Sequence, residues 1–294
     1  MPLKDWLLAL TVVTLWGLNF IAVKVAVQTV PPLLLTGIRF ALVAVVLAPL
    51  FRPARPQMKG IVGIAVVLGV GHFGLMFVGL AGMDAASAAI ITQLGVPFSA
   101  LLAWLAFGEK LGLGRAIGLL LAFAGVALLA GEPGLISIVP MLILVAAMLA
   151  WAVSNVQVKR LGEINPLALN GWMALFAAPM LMALSALLES GHADLPARLL
   201  TDWRPWAGLA FTVICSSLVA YTLWYGLLAR HPMNRVVPVT LLGPVVGVAG
   251  GVLMLGETLT WQKLVGGALT VAGVAVVHFL GGIRQPPAEP EPGT

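Results

Sequence analysis

Long apolar runs alternate with short polar breaks along almost the whole chain. A helix that crosses the hydrocarbon core of a bilayer needs about 20 mostly apolar residues. Ten runs approach that length, so the pattern predicts an all-α membrane protein with ten transmembrane helices. These predicted helices 1 to 10 cover residues 5–27, 32–51, 60–81, 86–107, 114–131, 135–158, 166–188, 206–229, 235–255 and 263–281.

The positions of lysine and arginine orient these helices. With the N-terminus in the cytoplasm, 11 of the 16 basic residues fall on the cytoplasmic side, 3 fall outside, and Lys24 and Arg39 lie within helices. Cytoplasmic loops of membrane proteins carry an excess of Lys and Arg. We therefore expect both termini in the cytoplasm.

One stretch of the chain occurs twice. Residues 85–130 align with residues 233–278 at an offset of 148 without a gap, and 13 of the 46 positions are identical. The shared positions include the pairs Thr92/Thr240, Gly95/Gly243, Gly108/Gly256, Glu109/Glu257, Gly118/Gly266 and Gly125/Gly273. A weaker match extends back to helices 1 and 6, so the repeated unit has five helices.

An odd number of helices forces the second copy into the membrane from the opposite side. The sequence thus predicts two inverted five-helix repeats, an arrangement found in many secondary transporters. We expect the first repeat at residues 1–133, the second, inverted repeat at 134–282, and a disordered cytoplasmic tail at 283–294, where proline and glutamate dominate.

Composition supports a lipid environment and excludes other classes of protein. The chain is 61% hydrophobic and 9% charged, whereas a soluble domain carries about 25% charged residues. The net charge of +5 does not indicate nucleic-acid binding, because the basic residues are scattered between apolar runs. A single cysteine, Cys215, provides neither a disulfide framework nor a metal cluster. We expect no cofactor, no metal, and no direct use of ATP, since no Walker motif is present.

Several repeated motifs resemble those of a known family. The first half has a Trp/Asn-bearing first helix that ends in Lys24, then Pro97, Gly108-Glu109, Gly118 and Gly125. The second half carries Gly243-Pro244, Gly256-Glu257, Gly266 and Gly273, with its proline one residue earlier in the repeat. This pattern resembles the EamA-type ten-helix members of the drug/metabolite transporter superfamily, and the whole chain resembles the YddG-type bacterial aromatic amino-acid exporters.

The resemblance implies a secondary transporter rather than an enzyme. It implies export of small metabolites, with aromatic or hydrophobic amino acids as the expected substrates, across the bacterial cytoplasmic (inner) membrane. It also implies a central midplane cavity lined mainly by helices 1, 3, 4, 6, 8 and 9, with helices 5 and 10 peripheral. Transport would then proceed by alternating access around that cavity, with membrane lipid outside the bundle.

Matching polar and aromatic residues on helices 1 and 6 are the first candidate substrate-binding groups. Trp16 and Asn19 share one helix face, and Trp151 and Asn155 share the corresponding face of helix 6. An amide in hydrocarbon needs a partner, so both asparagines should face the bundle interior. They would hydrogen-bond the amino or carboxylate group of a substrate, or else join two helices.

Helices 8 and 3 add further candidates. Tyr221 and Tyr225 are one turn apart, and Ser217 lies one turn before them. Tyrosine rings suit a flat apolar substrate, although an interfacial aromatic belt is an alternative role. His72, followed one turn later by Met76, would pair with a carboxylate, accept a proton, or bond a neighbouring helix.

Helices 4 and 9 offer the candidates Gln93, Pro97 and Pro244. Proline removes a backbone hydrogen bond and bends a helix, so the two prolines are either gating hinges or fixed kinks. Lys24 would either snorkel to the outer surface or attract a substrate carboxylate near the outer mouth. Every acidic residue lies at a helix end, in a loop or in the tail, which leaves no mid-membrane carboxylate for a proton relay.

An intramembrane enzyme and a lipid flippase are the alternative functions, and a homodimer is a possible assembly. An intramembrane enzyme would need a nucleophile with a base or a metal site, and no such motif occurs. A lipid flippase would need a lateral opening between helices, which the sequence does not reveal. The glycines of helices 5 and 10 lie seven residues apart on one face and indicate close helix packing, which leaves a homodimer through these faces as a further possibility.

Overall fold

The computed structural model describes residues 1–108, 112–132 and 137–281, and these residues are helical with short connections. The long helices are α1 (Leu3–Ala26), α2 (Pro32–Leu50), α3 (Arg55–Ala81), α4 (85–107), α5 (Leu113–Leu129), α6 (Ile138–Leu161), α7 (Pro166–Leu188), α8 (Arg204–Arg230), α9 (Val237–Leu255) and α10 (Trp261–Gly281). Among the described residues, nine of them are long and apolar enough to span a membrane, and α5 is a shorter apolar helix. The predicted all-α, ten-helix fold is confirmed.

Helix ends differ from the predicted ones in ways that local chemistry explains. α3 begins at Arg55 rather than at residue 60, because Pro56 opens its first, 3-10 turn. α6 ends at Leu161 with Lys159 and Arg160 in its last turn, where positive charge complements the helix dipole. A short helix, Leu195–Thr201, which the sequence pattern did not predict, lies between α7 and α8.

Two helix pairs flank the bundle. α5 packs along α10, and α2 packs along α7. A Cβ atom at Gly171 of α7 would lie 2.7 Å from the Cβ of Leu47 on α2, so this contact needs glycine. The other six helices lie between these pairs: α1 contacts α8 and α9, and α6 contacts α3 and α4. They are the helices expected to line the cavity.

The glycines of α5 and α10 face each other within one chain. A Cβ at Gly118 would lie 2.7 Å from the carbonyl oxygen of Gly273, and one at Gly266 would lie 2.6 Å from that of Gly125. The prediction of close packing between these helices is confirmed. Because this contact already covers the glycine faces, these faces are not free to join two copies of the chain.

The repeated glycine of the Gly-Glu motif ends a helix in both halves. Gly108 and Gly256 have φ values of 66° and 70° and stop α4 and α9 in the left-handed conformation that glycine adopts freely. The carboxylate of Glu257 then accepts hydrogen bonds from the first backbone nitrogens of α4. The glutamate therefore complements the dipole of α4, although α10 is the next helix along the chain. Glu109, the boundary at 133–134 and the tail at 283–294 lie outside the described residues.

A buried ion cluster joins the outer ends of α4, α5 and α10. The Lys263 ammonium lies 2.9 Å from the carboxylate of Glu132 and 3.3 Å from that of Asp84. Glu132 also accepts hydrogen bonds from Ser87 and Thr260, each at 3.1 Å. These charges lie at helix ends, as the sequence predicts.

Candidate functional site

The helices at the centre of the bundle are irregular at matching positions in the two halves. α3 is a π-helix over Ala65–Gly74, and α8 is a π-helix over Phe211–Val219. At the repeat offset of 148 these two segments overlap. Such π segments occur often at functional sites, and these contain the candidates His72 and Ser217. Hydrophobic periodicity does not reveal them.

α4 and α9 each contain a 3-10 segment, Thr92–Leu94 and Val237–Leu242. The prolines explain both. Pro97 and Pro244 have no backbone N–H, so the carbonyls four residues earlier, those of Gln93 and Thr240, lose their α-helical partners. Gln93 is therefore located where the α4 backbone changes geometry, and its side chain is only partly buried.

Aromatic side chains of α1 and α8 form one continuous group. The ring of Trp16 lies 5.3 Å from the rings of both Tyr221 and Trp224, and Tyr221 lies 5.8 Å from Tyr225. The Trp16 indole N–H donates to the carbonyl of Ser216 at 3.4 Å. The structure thus brings Trp16, Tyr221 and Tyr225 together, and we refer to these residues with Trp224 as the aromatic face.

His72 and Met76 lie on α3. His72 is buried, and its Nδ1 is 3.0 Å from the carbonyl oxygen of Ala147 on α6. A carbonyl oxygen only accepts, so Nδ1 carries the hydrogen, and a neutral ring keeps a lone pair on Nε2. Met76 is buried one turn further out. The histidine therefore makes the interhelical bond that was one of its expected roles.

Arg39 is a buried residue of the centre that was not among the candidate substrate-binding residues; from sequence its roles were the same two as those of Lys24. Its side chain is 2% exposed, and its Nε donates to the hydroxyl of Ser217 at 3.0 Å. Ser217 in turn donates to the carbonyl of Thr212 at 2.7 Å. The signal in the sequence was an arginine inside an apolar run, but it lies on α2, which the resemblance does not place at the cavity.

The candidate residues of α6 face α4 rather than the aromatic face. Trp151 packs against Gly95, where a Cβ would lie 2.7 Å from the indole ring. The Asn155 amide donates to the hydroxyl of Ser99 at 3.1 Å. Trp151 thus occupies the position in the second half that corresponds to Trp16, while Asn155 lies one residue beyond the position that corresponds to Asn19. Both residues join two helices. Asn19 is buried with its Oδ1 unpartnered.

Lys24 has a structural position that neither expectation described. Its ammonium donates to the backbone carbonyls of Leu80, Ala81 and Met83, at 3.1, 3.2 and 2.6 Å. It therefore neutralises the C-terminal end of α3 instead of snorkelling to the outer surface. A role at the outer mouth stays a prediction.

The contact between α4 and α9 lies at one end of the bundle. Residues Ala85–Ile91 of α4 pack on α9, where Gly247 faces Ala89 and Gly251 faces Ala86. The corresponding inner segments, Gly95–Phe107 and Val237–Leu242, form no comparably extended contact within the described residues. If the termini lie in the cytoplasm, as the lysine and arginine pattern predicts, this α4–α9 contact lies on the outer side. Pro97 and Pro244 lie between the closed and the separated parts.

Comparison with known proteins explains this architecture. Residues 4–131 and 138–279 each match the EamA-like transporter family. The chain belongs to this family. It is accordingly a transporter and not an enzyme, and its apolar helices make it a multi-pass membrane protein. The two matches also agree with the two repeats of the fold.

Relatives of this EamA-like transporter extend over its full length. A Salmonella typhimurium protein named probable amino-acid metabolite efflux pump is 35% identical, and the alignment covers 95% of this chain and 96% of the relative. An Escherichia coli protein of the same name is 31% identical over the same shares. A crystal structure with 22% identity superposes with a TM-score of 0.61, covering 94% of this chain and 97% of that one, which establishes the fold alone.

Within the part of the chain that the structure describes, no group of three His, Cys, Asp or Glu side chains is placed to hold a metal ion. The EamA-like transporter instead offers apolar and aromatic side chains, a few hydroxyls and amides, and one buried guanidinium. Side chains of these kinds suit a small molecule that is held by ring contacts and hydrogen bonds.

Proposed function

We propose that this protein is a secondary exporter of amino acids and related small metabolites, with aromatic or hydrophobic amino acids preferred, in a bacterial cytoplasmic membrane. The single observation that carries the preference is the aromatic face, in which the ring of Tyr221 is in tilted contact with those of Trp16 and Tyr225. Rings arranged in this way bury a flat side chain, while hydroxyls nearby bind its polar end. The names of the efflux-pump relatives support the same substrate class.

The mechanism proposed is alternating access. The outer contact between α4 and α9 closes the bundle to the outside, and the 3-10 segments at Thr92–Leu94 and Val237–Leu242 provide points at which both helices bend. Rocking at these points would open the outer side and close the inner one. This proposal includes the ten predicted substrate-binding residues. It also includes Lys24, Pro97 and Pro244 as residues of the gate or the mouth.

Transport by purified protein in liposomes tests the proposal. Vesicles loaded with unlabelled phenylalanine, leucine, lysine or glutamate are diluted into labelled substrate, and exchange is compared with protein-free vesicles. We expect exchange of phenylalanine and leucine above that of lysine and glutamate. Absence of exchange for every amino acid would remove the proposal, and movement of a fluorescent phospholipid under the same conditions would favour a lipid flippase instead.

A further inference from the structure

The guanidinium of Arg39 is buried at mid-bundle, next to the proposed substrate site. Its central carbon lies 5.0 Å from the ring of Phe73, 5.5 Å from that of Phe77 and 5.8 Å from that of Phe40. Cation–π contacts of this kind stabilise a buried guanidinium, but the rings carry no net negative charge. The phenylalanine rings and Ser217 therefore position the Arg39 guanidinium but do not neutralise its charge.

The charge of Arg39 has no ionic counterpart in the described chain. Within the described residues, no Asp or Glu carboxylate forms an ion pair with it, whereas Lys263, Arg230 and Arg204 all have one. Its Nη1 is buried and forms no hydrogen bond. A guanidinium remains charged in proteins and carries five N–H donors, and an unpaired charge inside a membrane bundle costs several kcal/mol. Residues with this property usually bind substrates or ions.

Arg39 reaches the same place on α8 as the aromatic face. Trp16 bonds the backbone of Ser216, and Arg39 bonds the side chain of the next residue, Ser217. Tyr221 follows one turn later on the same helix. The guanidinium therefore lies at the outer end of the aromatic face.

A second unpartnered polar atom completes the pattern. Asn19 lies three residues after Trp16 on α1, is buried, and has no partner for its Oδ1. α1 and α2 both pack on the π segment of α8. Asn19 lies on α1 between Trp16, which bonds Ser216, and Ala22, which contacts Gly208. One atom is an unused donor with a positive charge and the other is an unused acceptor. The two ends of a zwitterionic amino acid need those two partners.

We propose that Arg39 binds the carboxylate of the transported amino acid and that Asn19 accepts a hydrogen bond from its ammonium group. This inference rests on the proposed function and names the chemistry that selects the substrate. The planar guanidinium fork matches a carboxylate with two parallel hydrogen bonds. In the outward-closed bundle, Arg39 is covered and rests on Ser217, and the carboxylate reaches it as the helices rearrange around the site.

A matched ligand pair tests this assignment in detergent-purified protein. Phenylalanine and phenylalaninamide differ in the carboxylate and share the ring and the amine. Apparent dissociation constants are measured from ligand-dependent thermal stabilisation. We expect the unmodified protein to bind phenylalanine about ten-fold more tightly than the amide, because hydrogen bonds between charged groups are stronger than those to a neutral amide. Arg39→Gln should abolish that preference, and Arg39→Lys should retain part of it.

A purely structural role for Arg39 gives a different result. If Arg39 only joins α2 to α8, Arg39→Gln weakens both ligands equally, and that outcome overturns the inference. Should the variant fail to purify as a single species, the unmodified protein decides alone, since equal affinity for acid and amide contradicts carboxylate binding. If the protein binds neither ligand, the proposed function fails together with the inference. If it binds both ligands equally well, only the assignment of Arg39 fails.

The ammonium partner has its own control. Phenylpropionate lacks the amine but keeps the ring and the carboxylate. We expect Asn19→Leu to weaken phenylalanine about ten-fold while changing phenylpropionate less than about two-fold, since a buried unpartnered polar group costs about 1–3 kcal/mol. Equal losses for both ligands would contradict the role assigned to Asn19 and leave Arg39 as the only polar anchor.

Discussion

The carboxylate of Glu257 lies 2.6 Å from the backbone nitrogen of Ala85, which joins the turn after α9 to the first turn of α4. The same carboxylate accepts from the nitrogen of Ala86 at 2.9 Å. Both nitrogens belong to the first turn of a helix, where backbone N–H groups have no intrahelical partner. A charge at this point stabilises both the helix end and the outer contact between α4 and α9.

Replacing this carboxylate should destabilise the protein. We expect Glu257→Gln to lower the free energy of unfolding by about 1–2 kcal/mol, because the helix N-terminus loses a charged acceptor. Thermal denaturation in detergent measures the change. Glu163→Gln is the matched control, since Glu163 is exposed between α6 and α7. Equal melting temperatures for the two variants would contradict the capping role.

The α5–α10 contact makes a separate prediction about glycine. A Cβ at Gly273 would lie 2.9 Å from the Cα of Ala122, a backbone atom that cannot move alone. Gly273→Ala should therefore destabilise the protein by about 1–3 kcal/mol through overpacking. At Gly112 a Cβ would meet no atom within 4 Å, so Gly112→Ala is the control and should be neutral. A neutral Gly273→Ala variant would show that the two helices separate easily.

The prolines next to the 3-10 segments should affect the rate of transport rather than binding. Pro97→Ala and Pro244→Ala each restore a backbone N–H. The carbonyls of Gln93 and Thr240 can then accept the α-helical hydrogen bonds that proline prevents. We expect each variant to exchange substrate several-fold more slowly, about three- to ten-fold, while ligand affinity is unchanged, because straightened helices bend less readily. Pro179→Ala, in the middle of α7, is the control for a proline in a flanking helix. If Pro97→Ala and Pro244→Ala exchange substrate at the same rate as Pro179→Ala, Pro97 and Pro244 are fixed kinks rather than hinges.

The aromatic face predicts a separation between ring and hydroxyl at Tyr221. Tyr221→Phe keeps the stacking on Trp16 and should change the affinity for phenylalanine less than about three-fold. Tyr221→Leu removes a ring contact of about 0.5–1.5 kcal/mol and should weaken phenylalanine about two- to ten-fold more than leucine. Exchange assays in liposomes measure both. A Tyr221→Leu variant that weakens both substrates equally would contradict a specific stacking role.

Substitution of Lys24 tests whether this residue only caps α3 or also contributes to the outer mouth of the transporter. Lys24→Met removes three hydrogen bonds from the α3 terminus and should lower stability by about 1–3 kcal/mol. If the cap is its whole role, the variant binds phenylalanine with unchanged affinity once it is folded. An affinity loss confined to ligands with a carboxylate would instead support the expected position at the outer mouth.

Much of the fold could be predicted from sequence because it depends on local and repeated signals. Apolar runs of the right length gave the helices, and the matched glycines gave the repeat and the α5–α10 packing. The exact ends of α3 and α6 escaped this reasoning, since Pro56 and the Lys159-Arg160 pair act within one helical turn. The 3-10 and π segments also escaped, although the prolines marked the places where α4 and α9 bend.

The candidate site was only partly accessible from sequence. Trp16 and Tyr221 were both candidate substrate-binding residues, and the structure brings them together across 205 positions of chain. The partner of Arg39 could not be predicted in this way, because Ser217 becomes its neighbour only through the packing of α2 on α8. The same holds for Glu257, whose acceptor role depends on a helix in the other half.

The facing glycines of α5 and α10 form a contact between two copies of one sequence face. Gly118 packs against Gly273, and Gly266 packs against Gly125. Gly118 and Gly266 are equivalent in the repeat, as are Gly125 and Gly273, so the two contacts are equivalent as well. Such an interface is isologous, the kind that joins two identical subunits around a two-fold axis. Two separate five-helix chains, inserted in opposite orientations, could form it with no new surface. Joining the halves in one polypeptide therefore supplies effective concentration and a fixed stoichiometry, while leaving each half free to evolve a different wall for the substrate.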